Sequence, residues 1–190
     1  MRHLKLPDHQ SYNGSQIEPM WAFRQFQIKE SNIVTWIGPM KIKTSKIIDY
    51  EDLNLEIKAD EMIHFIIEHF DCQPADIRIC YHRQRLFVTI VKDLLAEQGI
   101  VTERDGDDLY FQDKKLNVSV ATCSQNCMKI HFGMNLKSEG TPKDVATVGL
   151  LECRIRLDKE EVQDLIDQIC KGYIREISSI EKDIAKTKVF

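Results

Sequence analysis

The sequence predicts an α+β fold, a mostly antiparallel sheet with helices packed on one face. Three observations lead there. Strand-like and helix-like segments are segregated along the chain rather than alternating strictly. Short turn-bounded strands follow one another from Ile100 to Leu136. The chain then reaches one long amphipathic helix with its own cap.

The elements follow in order. The N-terminal part reads as strands: Asn32–Ile37 (NIVTWI) is β-branched and aromatic, and Gly38-Pro39 is expected to stop it. Met40–Ile48 alternates at first and then runs apolar, and Tyr50–Asp52 reads as a loop. Asp60 looks like a helix N-cap with Glu61 in the first turn. Met62, Ile63, Ile66, Ile67 and Phe70 fall at helical spacing, so a helix is expected there, ending before Pro74. Asp76–Tyr81 (DIRICY) alternates and predicts a strand.

A second helix is expected over Arg85–Gln98, where Leu86, Phe87, Ile90, Val91, Leu94 and Leu95 keep the 3.6 period and Gly99 suits the C′ position. Strands follow at Ile100–Arg104, Leu109–Gln112, Leu116–Thr122 and Met128–Leu136. Lys137–Val145 is a loop turning at Gly140-Thr141-Pro142. Asp158 caps the last helix, expected over Asp158–Ile180, with Val162, Leu165, Ile166, Ile169, Tyr173, Ile174 and Ile177 facing inward.

Composition narrows the function classes. A chain of 190 residues without repeats or linkers is expected to form one domain with one sizeable core. Its net charge of −4 argues against a protein built to hold duplex DNA. No apolar run approaches the ~20 residues of a spanning helix, and the N-terminus has no signal-peptide pattern, so no membrane partner and a cytoplasmic location are expected. The six cysteines are then expected as free thiols. Cys123-x3-Cys127 lacks a second pair at zinc spacing, and no metal site is predicted.

The run Gly106–Ser119 (GDDLYFQDKKLNVS) is the segment most suited to chemistry. Arg104, Asp105, Asp107 and Asp108 set three carboxylates and one cation around Gly106, where mutual repulsion favours a raised pKa or a cationic partner. Lys115 starts the return strand. By alternation Lys115, Asn117 and Ser119 share one face, suited to an anion or a polarised carbonyl. An exposed hairpin with a solvated tip is the plainer alternative.

RDGDDLYFQDKKL, from Arg104 to Leu116, resembles the Lys-Trp-Pro-Asn-Asp-Leu…Lys-Leu segment of biotin protein ligases. Asp107 stands at that pattern's Asn, Asp108 at its Asp and Lys115 at its lysine. His131–Leu136 (HFGMNL) resembles the Gly-Ile-Asn strand of those ligases and the His-Gly…Leu-Asn-Val strand of octanoyl transferases. Over its whole length the chain resembles the prokaryotic family defined as domain of unknown function 366, through Tyr12–Gln16, Gly38-Pro39, Arg83–Arg85, Gly106–Leu109, Lys114–Leu116, Val118–Thr122 and Gly140–Pro142. That resemblance implies the fold shared by class II synthetases and biotin/lipoate ligases.

It also implies that Lys115 stabilises an oxyanion or phosphate. Two departures stand out. The ligases' glycine- and arginine-rich phosphate loop is missing, and the nearest basic cluster is Tyr81–Arg85, expected at a strand-to-helix junction. Asn117-Val118 replaces the small residues that let a ligase substrate lie close. Octanoyl transferases work through a cysteine and a lysine, a role that would fall to Cys153 here. The candidate catalytic residues are Lys115 and Asp108. The candidate ligand-binding residues are Arg83, Arg85, Asp107, Asn117, Ser119, His131 and Asn135. The expected function is small-molecule binding with acyl or cofactor transfer, the alternative a non-catalytic module for a ligand, nucleotide or tRNA end. No cofactor is indicated. The expected partner is an acyl- or nucleotide-like small molecule, and a homodimer is left open.

Overall fold

A computed structural model describes residues 1–153 and 157–190. Its main sheet has the order β1-β2-β3-β8-β7. These strands are β1 (Arg2–Lys5), β2 (Asn32–Lys41), β3 (Lys58–His69), β7 (Asn117–Cys123) and β8 (Met128–Asn135). β1 runs parallel to β2, and every other pairing is antiparallel. A second sheet of three short strands, β4 (Glu103–Asp105), β5 (Asp108–Phe111) and β6 (Lys114–Lys115), forms the hairpin region. The helices are α1 (Trp21–Phe26), α2 (Ile77–Glu97), α3 (Leu150–Cys153) and α4 (Lys159–Lys186). The α+β expectation holds: α2 and α4 cover one face of the sheet, while α1 and the N-terminal segment cover the other. Among the described residues no helix is long and apolar enough to cross a membrane.

The expected helix at 60–70 is instead strand β3. It is the central strand, buried over Met62–His69, and has apolar side chains on both faces. Ile63, Phe65 and Ile67 enter the cluster under α2 and α4, while Met62 and Ile66 join Tyr12, Trp21 and Trp36 on the other side. A strand covered twice loses its alternation, and its apolar run then imitates a helical stripe.

The expected strand at 76–81 is the start of α2. Asp76 caps that helix by accepting from the Ile79 amide at 3.0 Å, so the helix begins eight residues earlier than the apolar period suggests. Gly38-Pro39 does not end β2. The strand runs on to Lys41 through a register shift between Gly38 and Met40, the kind of bulge where a strand tolerates proline. A side chain at Gly38 would lie 2.1 Å from the Gln10 carbonyl oxygen, so glycine is required there by close approach. The four strands predicted between 100 and 136 are all present, and α4 begins at its Asp158 cap as expected.

Candidate functional site

The hairpin is built by two tight turns. Gly106, at φ +59°, reverses the chain between β4 and β5. Gln112 and Asp113, at φ +50° and +63°, form the two-residue turn into β6, the twist that suits a hairpin. Leu109 and Leu116 anchor this unit in the main core.

Asp107 and Asp108 are neighbours in sequence but serve different partners. Asp107 turns towards α2, where one oxygen takes a very short contact from Arg85 and the other accepts from Gln84 Nε2 at 2.8 Å. Asp108 Oδ2 lies 2.8 Å from Lys115 Nζ. Burial pushes the Asp107 carboxyl above its usual range; Arg85 opposes that and Asp108 adds to it. Asp52 is also raised, by burial and by Asp49, and it senses both Lys115 and Asp108. The turn carrying Asp49 and Asp52 therefore faces the Lys115 side of the hairpin.

Lys115 is held by its backbone from both directions. Its amide donates to Ala146 O at 2.9 Å, and its carbonyl accepts from Val148 N at 3.0 Å. Asn135 Nδ2 donates to Val148 O at 3.3 Å and sits 3.5 Å from Lys115 O. Asn135 thus braces Lys115 from behind. Asn117 has a similar role: its Oδ1 accepts from Leu109 N at 2.6 Å and its Nδ2 donates to Asp107 O at 2.9 Å. Ser119 accepts from Gln84 Nε2 at 2.8 Å and donates to His131 O at 3.1 Å.

Other candidates lie elsewhere. Arg83 and Arg85 are two residues apart on α2, about 200° around the helix. They sit inside α2 rather than at its start, because Asp76 moves the N-terminus upstream. Arg83 pairs with Asp71 through two bonds, at 2.7 and 3.0 Å, and does not join Arg85. His131 is buried on the opposite sheet face from Ser119, stacked on Tyr12 with ring centres 3.8 Å apart. Its Nε2 is 3.1 Å from His64 Nδ1, and His64 Nε2 is 3.1 Å from Gly38 O. A carbonyl can only accept, so His64 donates from Nε2, and His131 donates to His64. Cys153 donates to Gly149 O at 3.3 Å, and burial, with Glu152, pushes its thiol up to about 11. That environment opposes a thiolate at neutral pH.

The sequence reading missed a second group of residues. Lys129 and Glu68 face each other across β8 and β3 as a wholly buried ion pair. The signal was a charged residue beside the apolar run of each strand, and it needed the strand register to be recognised. Lys129 also lines a cavity of about 260 Å³ beside Thr122 and Cys123.

Sheet order, helical layer and hairpin together define the class. The chain has the fold of biotin and lipoate protein ligases. A putative lipoate protein ligase from T. acidophilum, solved with bound lipoic acid, superposes with a TM-score of 0.60 at 12% identity, covering 92% of this chain and 86% of that one. Biotin protein ligase from Aquifex aeolicus, in complex with biotin and ATP, gives 0.58 at 12% identity over 90% and 71% of the two chains.

More particularly, the chain belongs to the family described as domain of unknown function DUF366, which matches residues 1–188. A protein of unknown function from Pyrococcus horikoshi is 34% identical with a TM-score of 0.88 over 99% of both chains. An uncharacterised protein of Methanocaldococcus jannaschii is 39% identical over 98% of this chain and 84% of its own length.

Proposed function

We propose that the protein binds a small acyl- or nucleotide-like molecule at the Gly106–Ser119 hairpin and transfers an acyl or cofactor group there. Lys115 is the fixed cation where negative charge develops, Asp108 orients it, and Arg85 beside Asp107 is the anion anchor. One observation carries this reading. The Lys115–Asp108 pair is formed at 2.8 Å, with the two side chains 28% and 25% exposed. The ammonium is therefore aimed by its partner and by a doubly held backbone, and still reachable by a ligand. Asn117, Ser119 and Asn135 support the hairpin from beneath. Arg83, engaged by Asp71 on another side of α2, takes no part.

A second reading, binding without turnover, is favoured by a different observation. Val118 packs against the cluster of Tyr12, Trp36 and Met62, so a side chain fills the position where the ligase pattern has a small residue. Calorimetry and thermal-shift titration with octanoyl thioester, lipoate, biotin, ATP and nucleosides separate the two, with acyl transfer followed by mass spectrometry. Transfer of the acyl group from the thioester to an added amine or thiol acceptor, with release of the carrier thiol, is expected without ATP. Lys115→Ala should reduce it about 10²–10³-fold while the variant stays folded. If that variant binds and turns over every ligand as well as the wild type, the role of Lys115 is refuted. Binding without any transfer selects the second reading.

A further inference from the structure

The last turns of α4 carry an apolar stripe that the fold leaves uncovered. Tyr173, Ile177, Ile180 and Ile184 recur every three or four residues and so share one side of the helix. The first two lie in the core, at 0% and 8% exposure, whereas Ile180 and Ile184 are 38% and 62% exposed. α2 and α4 run antiparallel. A side chain at Gly172 would meet Ile90 and Leu94, and further along α4 Ile177 and Ile180 share a groove with Arg78 and Leu86 of α2. That groove, of about 370 Å³, lies between the start of α2 and the end of α4. Ile79 and Leu86 line its α2 wall, Ile177 and Ile180 its α4 wall, and Ile79 is itself 37% exposed. A surface helix turns its apolar stripe to something that covers it, and a cluster of exposed apolar side chains marks an interaction surface.

Charge identifies what covers it. Arg78 stands on the α2 wall and Glu181 on the α4 wall, both exposed to solvent. Among the described residues neither side chain has an ion-pair or hydrogen-bond partner, so the two do not meet across the groove. His82, one turn on from Arg78, stands beside it, and Arg83 on the same wall is already neutralised by Asp71. The groove therefore carries a base on one wall, an acid on the other and apolar side chains between them. A two-fold contact uses the same patch on both subunits, so the patch must complement itself. This one does: each wall carries the charge that the opposite wall of a second copy lacks. A foreign protein would have to bring a matching acid, base and apolar ridge of its own.

We propose that this groove is a homodimer interface, in which the α4 wall of each copy lies against the α2 wall of the other. Ile180 and Ile184 of one copy pack on Ile79 and Leu86 of its mate and supply the buried apolar area. Each Arg78 pairs with the partner's Glu181 at the edge of the contact. Such pairs fix the register and reject wrong partners more than they add affinity. The interface shares no residue with the Lys115 hairpin, so it stands whatever that site binds.

Sedimentation equilibrium of the full chain over a concentration series tests it, and a reversible dimer is expected. Ile184→Asp should weaken association at least about tenfold, and the monomer should stay folded because this side chain is already exposed in it. Arg78→Glu alone and Glu181→Arg alone should each weaken it at least about tenfold, since each homodimer then opposes like charges. An equimolar mixture of those two variants should recover the wild-type association. In the mixed dimer every contact again opposes an acid to a base, whereas an ion pair within one chain would stay broken. A wild type that is monomeric at every concentration overturns the proposal and leaves the groove to a different partner. A mixture that associates no more tightly than either variant alone also overturns it. If a variant does not fold, hydrogen exchange of the wild type decides: protection should rise with concentration at residues 78–86 and 177–184, and a rise elsewhere or nowhere overturns the proposal.

Discussion

Asn117 is 1% exposed and joins two pieces of backbone, Leu109 N and Asp107 O, that no regular strand pairing satisfies. The sequence put it on a polar face beside Lys115 as a ligand contact, and its spacing alone could not say otherwise. What decided its direction is the crossing of β7 under the hairpin, a long-range event. Replacing it leaves a buried donor and a buried acceptor unpaired. Asn117→Ala should therefore lower stability by about 2–5 kcal/mol, measured by urea denaturation. A loss below about 1 kcal/mol would show that the hairpin does not depend on this amide. Asp108 and Lys115 differ in kind. The sequence placed both on one hairpin, and the ion pair between them follows from a register that sets Lys115 opposite Tyr110, two residues from Asp108.

Helices and strands were legible in proportion to how local their causes are. The α4 start is a complete local device: Asp158 accepts from the Glu160 and Glu161 amides at 2.9 Å, and the Glu161 side chain returns to the Asp158 amide. Asp158→Ala should cost about 0.5–2 kcal/mol, with Asp158→Ser retaining most of the stability, as read by thermal denaturation. An equal loss in both variants would mean that the cap side chain is not what holds this end. β3 was misread for the opposite reason. Nothing within Lys58–His69 says that β2 and β8 flank it and that apolar layers cover both faces. The start of α2 was missed because Ile77 and Ile79 are exposed, so its first turn carries no apolar stripe.

For the molecule as a whole, three histidines are buried neutral. Burial lowers His64 to about 4, and it lowers His69 and His131 as well, with His64 adding to the effect on His131. Their ordinary value is 6.5. Between about pH 4 and 6.5 the unfolded chain holds more protons on these groups than the folded one, so their contribution to stability is present above 6.5 and is lost as pH falls. Each histidine adds up to ~1.4 kcal/mol per pH unit to that slope. His131→Phe, which keeps an aromatic ring against Tyr12, should flatten the slope of unfolding free energy in this window by up to that amount. An unchanged slope would place the proton uptake elsewhere.

The sequence by itself determined the α+β class, four of the five strands β4–β8, the α4 cap and the hairpin that carries Asp108 and Lys115. All of these rest on contacts close along the chain. Only the tertiary structure decided that Arg83 and Arg85 part company, that Asn117 and His131 serve the interior, and that Lys129 meets Glu68. Those outcomes depend on which strands lie side by side and on which face is covered, and in a sheet a register or layer assignment is made by residues far away in sequence.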